Sequence, residues 1–183
     1  MDGIWVCRAD AVHYFISLIV NKEVIMNGLR PYQAADLTEL SSYQLDKDQD
    51  AYSRSPYQAI VIEDKLAQPS RHGVTLWHEA EAVGFFILDA GPDRALFSDR
   101  ADALLLRSLS INPKHQGQGL GHQVMQELPD YCARYLPSCR EIVLGVNQHN
   151  HLAYRLYLNH GFVDTGQSRM GPSGPQHMLS LRW

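Results

Sequence analysis

The stretch Gln116-Gly117-Gln118-Gly119-Leu120-Gly121 stands between an apolar run, Leu104 to Ile111, and an amphipathic one. The apolar run reads as a buried strand. Leu120, Val124, Leu128, Tyr131 and Tyr135 follow at steps of four, four, three and four, which places them on one helical face. A glycine-rich turn from a strand into a helix N-terminus makes a phosphate cradle. Backbone N–H groups point outward there, no Cβ obstructs close approach, and the helix dipole favours negative charge. The turn therefore predicts a protein that holds a phosphorylated cofactor.

Two phosphate-loop signatures do not apply. A dinucleotide fingerprint needs G-x-G-x-x-G with an acidic residue about 20 positions on, whereas the spacing from Gly117 is G-x-G-x-G. The G-x-x-x-x-G-K-[ST] pattern of a P-loop is absent. With 183 residues the chain is long enough for one domain with a true core. A net charge of −4 argues against nucleic acid as the main partner. Three scattered cysteines, Cys7, Cys132 and Cys139, without C-x-x-C spacing, suggest reduced thiols. His149 and His151 lie close together, but no Cys or carboxylate completes a zinc spacing, so no metal is expected. Tyr14 to Val20 is too short to span a bilayer and lacks the flanks of a secretory signal, which points to a cytoplasmic protein without membrane contact.

Residues 1–27 differ from the rest and read as an N-terminal extension, with Met26 as an alternative initiator or the segment as an added element packed on the domain. Residues 28–183 form the domain proper, opening on an edge strand at Gly28 to Pro31. Ala34 to Leu40 has helical spacing, and Ser41 to Asp50 reads as a polar loop. Ser55-Pro56 is expected to open a second helix carrying Ile60, Ile62 and Leu66, closed by Pro69 and Gly73. Val74 to Trp77 and Val83 to Leu88 suggest a hairpin. Pro129 falls inside the helix after the glycine turn and should kink it. Ile142 to Val146 is the next strand, and strand, helix, strand in such a span makes a βαβ unit with parallel neighbours. Asn150 caps a helix that Gly161 stops. A last antiparallel pair runs from Phe162 and from His177. The fold class is mixed α/β around one sheet.

The pattern Gln116-x-x-Gly119-x-Gly121, with Asn150-x-x-Ala153-x-x-Leu156-Tyr157-x-x-x-Gly161-Phe162, resembles the GNAT superfamily of acetyl-CoA-dependent N-acetyltransferases. The resemblance is strong over residues 104–162 and looser from Gly28 to Trp183. The tail Asp164-Thr165-Gly166 with Gly174-Pro175-Gln176-His177 looks like bacterial members of unassigned substrate.

That resemblance implies a central mixed sheet, splayed where the strands at 104–111 and 142–146 part, and flanked by helices. It implies acetyl-CoA as co-substrate. The pantetheine arm would pair with backbone of Leu109 and Ile111, and the pyrophosphate would rest on the N–H groups of Gln116, Gly117, Gln118, Gly119, Leu120 and Gly121. His122 would touch phosphate or face water, and Asn150 would contact the cofactor, serve as helix cap, or both. A primary amine of a small molecule would attack the thioester directly in a ternary complex, with an N–H on the splayed strand stabilising the oxyanion. Tyr157 matches the tyrosine that protonates the leaving thiolate; packing in the core is its other reading. Family members often place a glutamate base on the strand at 104–111, where this chain offers only Arg107, Ser108 and Ser110. A water relayed by either serine, or Glu79 or Glu81, would then serve, or no base would be needed for an amine that arrives neutral. The loop holding Asp46, Lys47, Asp48, Asp50, Tyr52 and Arg54 would attract cationic amines or simply be solvated. Acetylation of protein N-termini or lysines, and a non-catalytic acyl-CoA sensor, are the competing functions. A homodimer is expected by analogy only.

Overall fold

The computed structural model describes residues 27–183. The expected N-terminal extension, with Cys7 and Met26, lies outside them except for Asn27. The strands are β1 (Gly28–Pro31), β2 (Arg71–His78), β3 (Glu81–Asp89), β4 (Ala103–Ile111), β5 (Glu141–Asn147), β6 (Val163–Gly171) and β7 (Gly174–Arg182). The α-helices are α1 (Leu37–Leu40), α2 (Lys47–Asp50), α3 (Leu120–Tyr135) and α4 (His151–Asn159). One seven-stranded sheet has the order β1-β2-β3-β4-β5-β7-β6. All its pairings are antiparallel except β4 with β5, so the mixed class and the βαβ unit hold.

β3 is central and buried on both faces, and alternation sorts its side chains. Phe86 and Leu88 join Leu120, Val124, Leu128 and Tyr157 under α3 and α4. Phe85 and Ile87 face the other way, into a smaller cluster with Leu40, Tyr43, Ala59 and Trp77. That second face is covered by residues 32–67, which thereby form a layer opposite the two long helices.

β4 and β5 part early. They pair only at Ala103↔Glu141, Leu104↔Ile142 and Leu105↔Val143. Beyond that point β4 carries a bulge against β3, between the pairs Ile87↔Arg107 and Phe85↔Ser110. Ser108 sits in it with a left-handed φ of 57°. The closed end is pinned by Glu141, which is buried and accepts from Ser98 Oγ (2.6 Å), Ser180 Oγ (2.6 Å) and Arg182 Nε (2.9 Å). Burial pushes its carboxyl up, but these hydrogen bonds and the Arg182 charge outweigh that and hold it below the usual range.

Three expectations need correction. Residues 55–66 do not form one helix. Ser55 does cap, accepting from Gln58 N at 3.3 Å while Gln58 Oε1 accepts from Ser55 N at 3.0 Å. The chain then makes a π-helical turn over Gln58–Ile62 and a 3-10 turn over Lys65–Ala67, parted by Asp64 at φ 44°. The residue it buries is Ala59, and Ile62 is 65% exposed. Second, Gly73 closes no helix, because β2 already starts at Arg71. Third, the polar stretch 41–50 contains α2, whose first turn is held by Asp46 Oδ1 accepting from Gln49 N at 2.8 Å. Pro129 lies inside α3, as its place in the sequence implied. The helix is tied down on either side of it by buried Val124, Met125, Leu128, Tyr131 and Cys132.

Candidate active site

The candidate site is the opening between β4 and β5. Asn112 N donates to Val83 O at 2.8 Å, so the backbone of Asn112 and Ser110 faces β3. Strand alternation turns Leu109 and Ile111 toward the opening. Their carbonyls already have donors from side chains: Ser53 Oγ donates to Leu109 O (2.8 Å) and Gln116 Nε2 to Ile111 O (2.9 Å).

Past β4 the chain makes a 3-10 turn, Pro113–His115, capped by Asn112 Oδ1 accepting from Lys114 N. Gly117 and Gly119 follow at φ 76° and 81°, and Gly119 is the N-cap of α3. Left-handed backbone at both positions favours glycine. A Cβ at either would meet nothing within 4 Å, so both face open space. Gly121 is different: its Cβ would come 3.1 Å from Leu156 Cδ2. The first helical hydrogen bond runs from Gln123 N to Gly119 O. The N–H groups of Leu120, Gly121 and His122 therefore have no partner within the helix. No side chain caps this end and no acidic residue lies in the first turn. Unshared donors, the positive end of a long dipole and free space fit a diphosphate.

The remaining expected residues fall as follows. His122 is exposed, and its Nδ1 lies 2.8 Å from Nε2 of His160, an imidazole that burial and then the His122 charge shift down. Asn150 Oδ1 accepts from Ala153 N at 3.1 Å, the N-cap of α4. Tyr157 is 7% exposed, edge-on to Phe162 with centroids 5.4 Å apart. It belongs to the cluster that includes Val146 and has Leu109 and Ile111 at its margin. Burial pushes its phenol up to about 12. No hydrogen bond joins its hydroxyl to another described residue.

On the opposite face of β4, Ser110 Oγ is 3.1 Å from Tyr43 Oη, and Lys65 Nζ donates to Ser108 Oγ at 3.3 Å. Arg107 is occupied structurally, its Nη1 donating to Asp89 (2.8 Å) and Asp93 (3.0 Å). Glu79 and Glu81 are not brought to the opening. They sit at the β2–β3 turn, where Glu81 lies 3.4 Å from His115. Beside Tyr43 a cleft of about 420 Å³ is lined by Ser41, Tyr43, Gln44, Leu45, Asp50, Ser55, Tyr57 and Gln58. Of the acidic loop Asp50 reaches its wall; Asp46 caps α2 and Arg54 pairs with Glu63. Sequence reasoning passed over Tyr43 and Ser53, which belong to no short-range pattern, and Gln58, which the Ser55-x-x-Gln58 capping box could have marked. Among the described residues no group of three or more His, Cys, Asp or Glu converges on a metal position, and no helix is long and apolar enough to cross a membrane.

Comparison with known proteins adds sequence and fold. The acetyltransferase (GNAT) family matches residues 37–162. The N-acetyltransferase YbbJ of Bacillus subtilis (strain 168) is 38% identical over 149 residues, 81% of this chain and 92% of its own length. The spermine/spermidine N(1)-acetyltransferase of the same strain is 30% identical over 108 residues, 59% of this chain and 70% of its own. Among solved structures, the aminoglycoside acetyltransferase AAC(6')-Ib in complex with coenzyme A and kanamycin has a TM-score of 0.68 at 20% identity, covering 85% of this chain and 94% of that one. The splayed sheet, the open cradle and these matches together show that the chain belongs to the GNAT family of N-acetyltransferases, which use acetyl-CoA as co-substrate.

Proposed function

We propose that the protein transfers an acetyl group to a primary amine of a small molecule, within a ternary complex and without an acyl-enzyme. The observation that carries this reading is the pair of left-handed glycines, Gly117 and Gly119, facing open space before the unshared amides of α3. Acetyl-CoA supplies the acetyl group as an activated thioester. The amides of residues 116–122 would hold its diphosphate, and the free edge of β4 at Leu109 and Ile111 would align its arm. Tyr157 keeps its proton through neutral pH, since burial pushes the phenol up to about 12, and can release it to a leaving anion.

The acceptor would enter through the cleft on the face opposite α3 and α4. Its wall offers hydroxyls, amides and the Asp50 carboxylate, a lining suited to a polar, cationic amine. The spermine/spermidine acetyltransferase among its relatives supports a small amine as acceptor. Buried, unpaired Cys132 and Cys139 suit a reducing compartment, and we place the enzyme in the cytoplasm. The test is coenzyme A release from acetyl-CoA across a panel of polyamines, aminoglycosides, amino acids and peptides. Turnover confined to small amines supports the proposal. Turnover on peptides alone, or binding without any turnover, overturns it.

A further inference from the structure

The stretch from α2 to Ser53 touches both halves of the site. Asp50 lines the acceptor cleft. Its neighbour Gln49 donates through Nε2 to Gln116 Oε1 at 2.7 Å, and Gln116 in turn donates to Ile111 O at 2.9 Å. Ser53 donates to Leu109 O at 2.8 Å. One short segment thus grips, directly or through Gln116, both carbonyls that β4 turns toward the opening. The segment is itself stiffened: Asp46 caps α2, and Arg54 Nη1 donates to Asp50 O and Ser53 O while its Nε donates to Glu63. Gln49 Oε1 is buried with no hydrogen-bond partner among the described residues, beside the loop where the diphosphate would rest. A buried amide oxygen without a donor is an acceptor in need of one.

We infer that Gln49 and Ser53 are positioning residues, forming a strap through which occupation of the co-substrate slot and the shape of the acceptor cleft are coupled. The inference rests on the cradle assignment above. A ligand amide that pairs with the β4 edge must share or displace the Ser53 and Gln116 donors, and either event is felt at Asp50. Acceptor binding that shifts Asp50 acts on the same bonds in reverse, since coupling between two sites is reciprocal.

Hydrogen exchange of the full chain with and without saturating coenzyme A tests this. In the wild type, coenzyme A is expected to slow exchange in residues 117–123 and to change it on the order of threefold or more in residues 46–54. In Gln49→Ala and Ser53→Ala, residues 117–123 should still be protected while the change at 46–54 is lost. Protection at 117–123 with no response at 46–54 in the wild type overturns the strap and leaves the cradle standing. An undiminished response at 46–54 in both variants also overturns it. Failure of coenzyme A to protect 117–123 in the wild type removes the cradle, and the strap with it.

Discussion

Gly121 and Leu156 meet at the crossing of α3 and α4: a Cβ on the glycine would lie 3.1 Å from Leu156 Cδ2. The third glycine of the loop thus serves helix packing, whereas Gly117 and Gly119 take left-handed backbone and face open space. Gly121→Ala asks Leu156 to move by only a few tenths of an ångström and gains helix propensity, so its stability should stay within about 1 kcal/mol of wild type. Gly121→Val overfills the contact and should cost about 1–3 kcal/mol in urea unfolding. Adding Leu156→Ala to Gly121→Val should restore part of that loss. Strict additivity of the two changes would show that the side chains do not compete for the same space.

Gly119 poses the opposite case. Gly119→Glu places a carboxylate into open space at the start of α3, where it caps unshared amides and repels a diphosphate. The left-handed φ of 81° adds about 1 kcal/mol of backbone strain for any side chain. The variant should fold, lose measurable affinity for coenzyme A by calorimetry, and lose turnover. Unchanged affinity would move the diphosphate away from this turn.

How much of this was legible in the sequence follows from the range of the contacts involved. The strand, glycine turn, α3, β5 and α4 were readable because periodicity, caps and glycines act within a few residues. Asn150 to Ala153 and Gly119 to Gln123 are both of that kind. The layer over the other face was misread because distant partners shape it. Tyr43 meets Ser110 across 67 residues, Ser53 meets Leu109 across 56, and Lys65 meets Ser108 across 43. In that layer Ala59 is buried against Leu40, Tyr43 and Phe85 while Ile62 stays outside, which no helical period in residues 55–66 reveals. Arg107 shows the same limit. In sequence it is one of three polar residues on the strand where a base was sought, and in the fold it is one arm of an ion cluster around buried Asp89.

That cluster gives a pH dependence of stability. Asp89 is 1% exposed and accepts from Arg71 Nε (2.8 Å), Arg107 Nη1 (2.8 Å) and Gly91 N (2.8 Å). Burial pushes its carboxyl up, but these donors and the Arg71 charge prevail and leave it below the usual range. A carboxyl lowered on folding stabilises the native state above its unfolded value, near 3.9, and that contribution fades as pH falls through the native value. Asp89→Asn should therefore cost about 1–3 kcal/mol at pH 7, since Arg71 loses its carboxylate partner while Arg107 keeps Asp93. The gap from wild type should narrow as the pH drops below about 4. A gap constant from pH 7 to pH 3 in urea titrations would show that the charge of Asp89 is not what the fold uses.

Tyr157 packs edge-on against Phe162 and its hydroxyl makes no hydrogen bond to another described residue, so Tyr157→Phe should leave stability within about 0.5 kcal/mol of wild type. Affinity for acetyl-CoA should be retained within about twofold, because the cradle amides are untouched. Turnover should fall by roughly a hundredfold, the lower end of what a positioned general acid contributes. The pH profile separates this role from simple packing. With the phenol pushed up to about 12 by burial, the acid stays protonated throughout the range in which the enzyme is assayed. Wild type and Tyr157→Phe should then give parallel kcat profiles from about pH 6.5 to 9.5, displaced by a constant factor. Equal turnover would remove Tyr157 as the acid and leave it a core residue. A wild-type alkaline limb that disappears in the variant would mean that the phenol titrates far lower, in surroundings more polar than its packing against Phe162 provides.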